Sequence, residues 1–149
     1  MTVALNRFIS QLADRCRPFF QLLHKWKDFS WTEECDQAFQ ELKDYLSNLP
    51  VLSSLGREEV LCAYLVVINH AVSLVLIQVN SGVQRLVYYI SKSLQDAETR
   101  YSHVEKAILA LVHAIKKLPH YFQAHTVVVL TQLLLQAVLR KLDYFRRVV

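Results

Sequence analysis

The chain has 149 residues, 53% of them hydrophobic, and carries 17 Lys and Arg against 13 Asp and Glu for a net charge of +4. That is enough for one domain, or a small domain with an appendage, and too apolar for a disordered segment. The longest apolar stretch, Val60 to Ile68, is too short to span a bilayer, and the two glycines, Gly56 and Gly82, cannot build a phosphate-cradling loop.

Residues 4–23 read as helical, because Leu5, Phe8, Ile9, Leu12 and Cys16 recur at three- and four-residue spacing. Pro18 breaks this segment or opens a new short helix, and Lys25 to Phe29 is a connection. A second helix begins near Trp31. Ser30 and Glu33 fit a capping box, with Thr32 as the alternative cap. Glu33, Glu34 and Asp36 fall in the first turn, where the helix dipole favours negative charge. Cys35, Ala38, Phe39, Leu42, Tyr45, Leu46 and Leu49 form its apolar stripe, and Pro50 marks its end.

Leu52 to Glu59 reads as a linker and the expected boundary between a helical part, residues 1–52, and a second unit, residues 60–142. Three strand-like runs follow, Val60–Val67, Val72–Val79 and Val83–Ser91, rich in β-branched residues and Tyr. Asn69-His70 suits the first turn and Asn80-Ser81-Gly82 the second. Tyr101 to Leu118 is the clearest helix, with Val104, Ala107, Ile108, Leu111, Ile115 and Leu118 on one face and Pro119 at its end. His125 to Thr131 suits a strand buried on both faces. Leu133 to Leu142 reads as a last helix, and residues 143–149 as a basic tail. The order βββαβα predicts an α+β or α/β domain: three antiparallel strands joined by a fourth in parallel, with helices packed on the mixed sheet.

Cys16, Cys35 and Cys62 form no CxxC pair, and no compact apolar signal region opens the chain. Reduced, mostly buried thiols in a soluble, unexported, intracellular protein are expected. The six histidines, His24, His70, His103, His113, His120 and His125, include no pair at the i, i+4 spacing of a helical zinc site.

Charge is uneven. Residues 1–60 hold 7 Lys and Arg against 9 Asp and Glu, whereas residues 61–149 hold 10 against 4. The second part is the more plausible nucleic-acid face. Lys116, Lys117, His120, Tyr121 and Phe122 combine charge with aromatics, and Lys92, Arg100 and Tyr101 extend the set. Such residues can track a phosphate backbone and stack a base; the alternative is a solvated helix end, with Lys at the negative end of the dipole. Arg140, Lys141, Arg146 and Arg147 could serve as a further basic patch, or as a solvated last turn and frayed end. Trp26, Trp31, Tyr88 and Tyr89 read as packing residues.

WTEECDQAFQELKDYLSNLPVL (Trp31–Leu52) resembles the segment joining thumb to RNase H-like domain in gypsy-class LTR retrotransposon polyproteins. YYISKSLQDAETRYSHVEKAILALVHAIKKLPHYF (Tyr88–Phe122) resembles the third strand and first helix of that domain, and HTVVVLTQLLLQAVL (His125–Leu139) the next strand and helix. LNRFIS near the start resembles the thumb. The resemblance covers nearly the whole chain and is nearest to plant elements. It implies a reverse-transcriptase polyprotein fragment whose family uses Mg for RNase H chemistry.

That chemistry needs carboxylates to hold two divalent metals about 4 Å apart. From Val60 to Gln95 there is no Asp or Glu. Carried over residue by residue, the family's carboxylate positions fall on Val66, Ala107 and Gln132, and the last lies in a segment beyond Val149. Glu105 is two residues from Ala107, a rotation of roughly 200° on a helix, and Asp96 and Glu98 fall in the connection before it. The resemblance therefore implies a truncated RNase H-like domain with no catalytic residue and no metal, which positions an RNA–DNA hybrid or meets the remaining polyprotein domains. No small-molecule substrate and no membrane are expected. The alternative is a gene fragment without retained activity, or one reused as a protein-interaction module through an uncovered sheet edge.

Overall fold

The computed structural model describes residues 7–24, 30–48, 52, 55, 56, 59–133 and 135. Lys25–Phe29, Leu49, Pro50, most of the proposed last helix and the basic tail, with Arg140, Lys141, Arg146 and Arg147, lie outside the described residues.

The helical reading of residues 4–23, with a break or a new short helix at Pro18, becomes turns through residues 7–11 and two short helices, α1 (Leu12–Arg15) and α2 (Arg17–His24), the second with Pro18 in its first turn. Gln11 interrupts the helical run. Its φ of 52° is left-handed, a conformation that costs a non-glycine residue free energy. The carbonyl of Gln11 accepts from the amides of Asp14 at 2.9 Å and Arg15 at 3.1 Å, so the turn is closed by α1. Pro18 sits in the first turn of α2, where its missing N–H has no partner to lose. The apolar spacing was a true sign of burial: Ile9, Leu12 and Cys16 form a small core with Phe8, Phe19 and Phe20.

α3 spans Glu33–Ser47. Its N-cap is Thr32, the alternative cap, and no side chain caps it, so the Ser30–Glu33 box does not form. The hydroxyl of Thr32 donates instead to Cys35 Sγ at 3.4 Å. Leu42, Tyr45 and Leu46 close over the Ile9–Leu12–Cys16 core, while Phe39 at the outer end of the stripe is exposed.

β1 (Leu61–Val67), β2 (Ala71–Asn80) and β3 (Val83–Ser93) form the antiparallel part of a four-stranded sheet, and β4 (Val127–Leu130) runs parallel to β1, in the order β3-β2-β1-β4. The β2–β3 hairpin turns at Ser81 and Gly82, both with positive φ, where Gly bears the left-handed geometry without strain. A bulge shifts the register after Leu76 and leaves Val87 as the extra, fully buried residue. β4 is not buried on both faces: Val127 is buried, Val128 and Val129 are half-buried and Leu130 is exposed. It pairs only with β1 among the described residues, so its position at the sheet edge decides its burial, not its composition.

The connection after β3 contains an unexpected short helix, α4 (Asp96–Thr99), and α5 spans His103–Lys117. α5 starts at a reciprocal capping box between Ser102 and Glu105, a Ser-x-x-Glu signal legible in sequence. Pro119 ends α5 and also opens a further short helix, α6 (Pro119–Ala124). Ala107, Leu111 and Ala114 of α5 pack on Leu61, Ala63, Leu74, Leu76, Val87 and Ile90 of the sheet, with Leu118, Phe122, Val127 and Leu135 completing the main core. This cluster is the larger of the two hydrophobic cores among the described residues, and apolar burial stabilises by about 25 cal/mol per Å2.

The N-terminal segment docks on the far side of the hairpin. Tyr89 donates its amide to the Arg7 carbonyl at 3.2 Å, and the Ala13 amide donates to Ser91 Oγ at 2.9 Å. Asp14 pairs with His70 at 2.5 Å. Cys16 and Cys35 are buried and Cys62 half-buried, all free thiols. Burial pushes the Cys16 thiol up, against the charge of Arg15. No helix among the described residues is long and apolar enough to cross a membrane.

Candidate nucleic-acid face and the cleft at the sheet end

α5 begins beside the ends of β1 and β4, and there the chain forms a cleft of about 660 Å3 lined by Tyr64, Leu65, Val67, His103, Leu130, Thr131, Gln132 and Leu133. This is the neighbourhood in which the resemblance places a metal site. Val66 is half-buried on β1 opposite Ser73, and its two neighbours, Leu65 and Val67, reach the cleft and the main core. Ala107 is 0% exposed and belongs to the core. Gln132 lies on the cleft wall, beyond Thr131, whose hydroxyl accepts the Leu133 amide at 3.1 Å.

Two nearby carboxylates are engaged elsewhere, and Asp96 is exposed on α4. Glu105 accepts from the amide and the hydroxyl of Ser102, each at 2.8 Å, and these bonds hold its carboxyl below the ordinary value. Glu98 is ion-paired with Lys92 and accepts the Gln95 amide at 2.9 Å. Burial works against its charge, but those partners hold its carboxyl below the usual value. Among the described residues no three His, Cys, Asp or Glu side chains gather to hold a metal. Val, Ala and Gln supply no anionic ligand, so the residues present do not fit a two-metal centre.

The basic candidates divide into three groups. Lys116 and Lys117 are exposed in the last turn of α5 and make no ion pair among the described residues. Lys92 reaches towards the same helix from β3: its charge acts on His113 together with those of Lys117 and Lys116. Arg100 and Tyr101 are exposed at the α4–α5 junction, apart from that cluster in the chain, with the Tyr101 ring open to solvent. His120 is exposed on α6, but Tyr121 is half-buried, edge-on to Tyr88 with ring centroids 6.1 Å apart. Phe122 is withdrawn from the surface into the main core, so it offers no stacking platform.

His113 was missed by the sequence reading. It is half-buried, and its ring nitrogens have no hydrogen-bond partner among the described residues. Burial, then the charges of Lys117 and Lys92, push its pKa down, with Glu98 opposing and Lys116 adding to the fall. The signal that could have found it is helical spacing: 113, 116 and 117 share one flank. His125 has a structural task, since its Nδ1 donates to the Glu59 carbonyl at 3.0 Å. Lys106 is buried, with its ammonium donating to the Asn69 carbonyl at 3.2 Å.

The family described as the RNase H-like domain found in reverse transcriptase matches residues 31–129. The chain is 33% identical over 110 residues to a retrovirus-related Pol polyprotein from transposon 412 of Drosophila melanogaster, covering 74% of this chain and 9% of that protein. It is 31% identical over 122 residues to the Pol polyprotein from transposon 297 of the same organism, covering 81% of this chain and 11% of that one. A Tf2-3 polyprotein of Schizosaccharomyces pombe matches at 27% over 121 residues. The chain thus spans about a tenth of the length of these relatives. The fold is similar to that of a foamy viral protease-reverse transcriptase in complex with double-stranded DNA, with a TM-score of 0.77 and 17% identity over 96% of this chain and 25% of that one. It is also similar to the same viral enzyme in complex with an RNA/DNA hybrid, with a TM-score of 0.75 and 18% identity over 96% of this chain and 20% of that one. Both likenesses establish an RNase H-like fold. The chain belongs to the family of RNase H-like domains found in reverse transcriptase, as carried by retrotransposon polyproteins.

Proposed function

We propose that this chain is a catalytically silent RNase H-like module of a gypsy-class polyprotein, of plant type. It binds RNA–DNA hybrid and does not cleave it. The observation that carries the silence is Ala107: at the position of the family's helix carboxylate stands a side chain with no ligand atom, sealed in the core. The cleft beside it offers hydroxyls, an amide and an imidazole, but no carboxylate. A Mg-binding arrangement built on Glu98 or Glu105 would cost the bonds they already make.

Binding is supported by Lys116 and Lys117 of α5, which make no ion pair among the described residues, and by the foamy viral structures, which hold double-stranded DNA or RNA/DNA hybrid. Lys92, Lys116, Lys117, Arg100 and His120 would meet phosphates, Tyr101 would offer an exposed ring, and Tyr121 would brace Tyr88. Residues 1–52 act as a thumb and connection segment fastened to the sheet through Ala13, Asp14 and Arg7. The test is a labelled hybrid incubated with the full chain and Mg or Mn. Intact hybrid, bound with an affinity that falls steeply with salt, supports the reading; metal-dependent cleavage lost in Glu98→Gln or Glu105→Gln refutes it. Salt-insensitive self-association without hybrid binding would favour the alternative, an interaction module.

A further inference from the structure

We propose that the flank of α5 facing β3 carries a site for one backbone phosphate, centred on His113 with Lys92, Lys116 and Lys117 around it, and that filling the site draws a proton onto His113. The inference deepens the nucleic-acid reading above and rests on it. Two elements build the cluster. On α5, His113, Lys116 and Lys117 stand at i, i+3 and i+4, one above the other on a single flank. From β3, Lys92 lies two residues beyond Ile90, on the sheet face that α5 covers, because strand side chains alternate.

Burial, and then the charges of Lys117 and Lys92, disfavour a positive charge on the half-buried imidazole, with Lys116 adding to the effect. Among the described residues, Glu98 from α4 is the carboxylate whose charge acts on it, and that carboxylate is already paired with Lys92. The ring nitrogens have no hydrogen-bond partner among the described residues, and neither Lys116 nor Lys117 is in an ion pair there. The cluster thus has donors and positive charge to spare and lacks an anion. A phosphodiester supplies one. Its negative charge offsets the lysines, and a protonated ring offers two N–H donors where the neutral ring offers one. Binding and protonation then favour each other reciprocally.

The sign follows. The free protein holds His113 below its ordinary value and the phosphate raises it, so the complex takes up a proton between those two values. Affinity increases as pH falls through that window. If the phosphate raises the value by about one unit, the gain is about tenfold.

The experiment uses the full chain and a short blunt RNA–DNA hybrid at constant ionic strength, with binding read by fluorescence anisotropy between about pH 7.5 and about pH 5.5. In parallel, ring-nitrogen chemical shifts follow each histidine. The expected result is an affinity gain of about tenfold on acidification and an upward move of the His113 midpoint when hybrid is added. His113→Gln loses the gain, whereas His103→Gln, at an exposed position outside the proposed binding residues, retains it. Glu98→Gln, which preserves the capping of α4, binds more tightly because Lys92 is released. Hybrid binding with an unmoved His113, or a full pH response in His113→Gln, overturns the site and leaves the nucleic-acid reading standing. Absence of hybrid binding by the unaltered chain at every pH overturns both.

Discussion

Placing a carboxylate back on α5 should wreck the domain before it restores any chemistry. Ala107 is fully buried between α5 and the sheet. In Ala107→Glu the new acid has no cation beside it among those core residues, and it escapes the cost of a buried charge only by staying protonated. For an ordinary Glu value of about 4.3, neutralising the group at about pH 7 costs about 3.7 kcal/mol. The extra volume in a packed core adds about 1–3 kcal/mol. The total, about 5–7 kcal/mol, is comparable with the whole stability of a domain. The charge-dependent part has a definite sign. The folded-state value is raised, so stability is retained below the unfolded value and lost as pH rises. At about pH 5 the charge part shrinks to about 1 kcal/mol. Ala107→Gln has nearly the same shape and no such dependence. The assay is urea unfolding of both variants and the unaltered chain at the two pH values, with and without Mg. The expected result is a Glu variant that recovers about 2.7 kcal/mol relative to the Gln variant on acidification, with no benefit from Mg. Equal stability of the two variants at neutral pH, or Mg-dependent stabilisation of the Glu variant, would show that position 107 opens onto a competent metal site, and the silent reading would fall.

Leu111→Ala should cost about 2.7–5 kcal/mol in urea unfolding, since Leu111 is fully buried in the main core; Leu23→Ala, at an exposed position, should change little. Ser102→Ala removes the N-cap of α5 and should cost about 1 kcal/mol. Changing Lys116 and Lys117 together to Gln should lower the salt-dependence slope of hybrid binding by about two, with little effect on the melting temperature. An unchanged slope would take α5 out of the interface. His113 is held below its ordinary value by burial and by Lys117 and Lys92, so the unfolded chain takes up its proton first as pH falls. The unaltered chain should therefore lose stability as pH falls from above about 6.5, and His113→Gln should lose less in thermal melts followed by circular dichroism.

The elements that were legible in sequence are those specified locally. β2 and β3 are joined by Asn80-Ser81-Gly82, which dictates both the hairpin and its positive φ angles, and α5 has an apolar stripe matched to the face it buries. The break at Gln11 was not legible, because neither Gly nor Pro marks it. The left-handed turn is held by distant partners, Ser91 for Ala13 and His70 for Asp14. The burial of β4 depends on its place in the strand order, which four apolar residues in a row cannot reveal. The basic face was half legible. Lys116 and Lys117 announce themselves as neighbours, but the charge of Lys92 reaches His113 from β3, distant in sequence. Phe122 was assigned to the surface by its company in sequence, whereas the turn of α6 sends it inward.

The clasp between the N-terminal segment and β3 also sets an order of events during synthesis. The Ala13 amide waits for Ser91, 78 residues later in the chain. At about 5–20 residues per second that interval is about 4–16 s. Throughout it the segment around Ala13 is outside the ribosome with its docking strand unmade. A nascent chain carrying this sequence therefore has an unclasped apolar segment for seconds, and a chaperone that recognises extended apolar segments has its best opportunity there, before the hairpin emerges and closes over it.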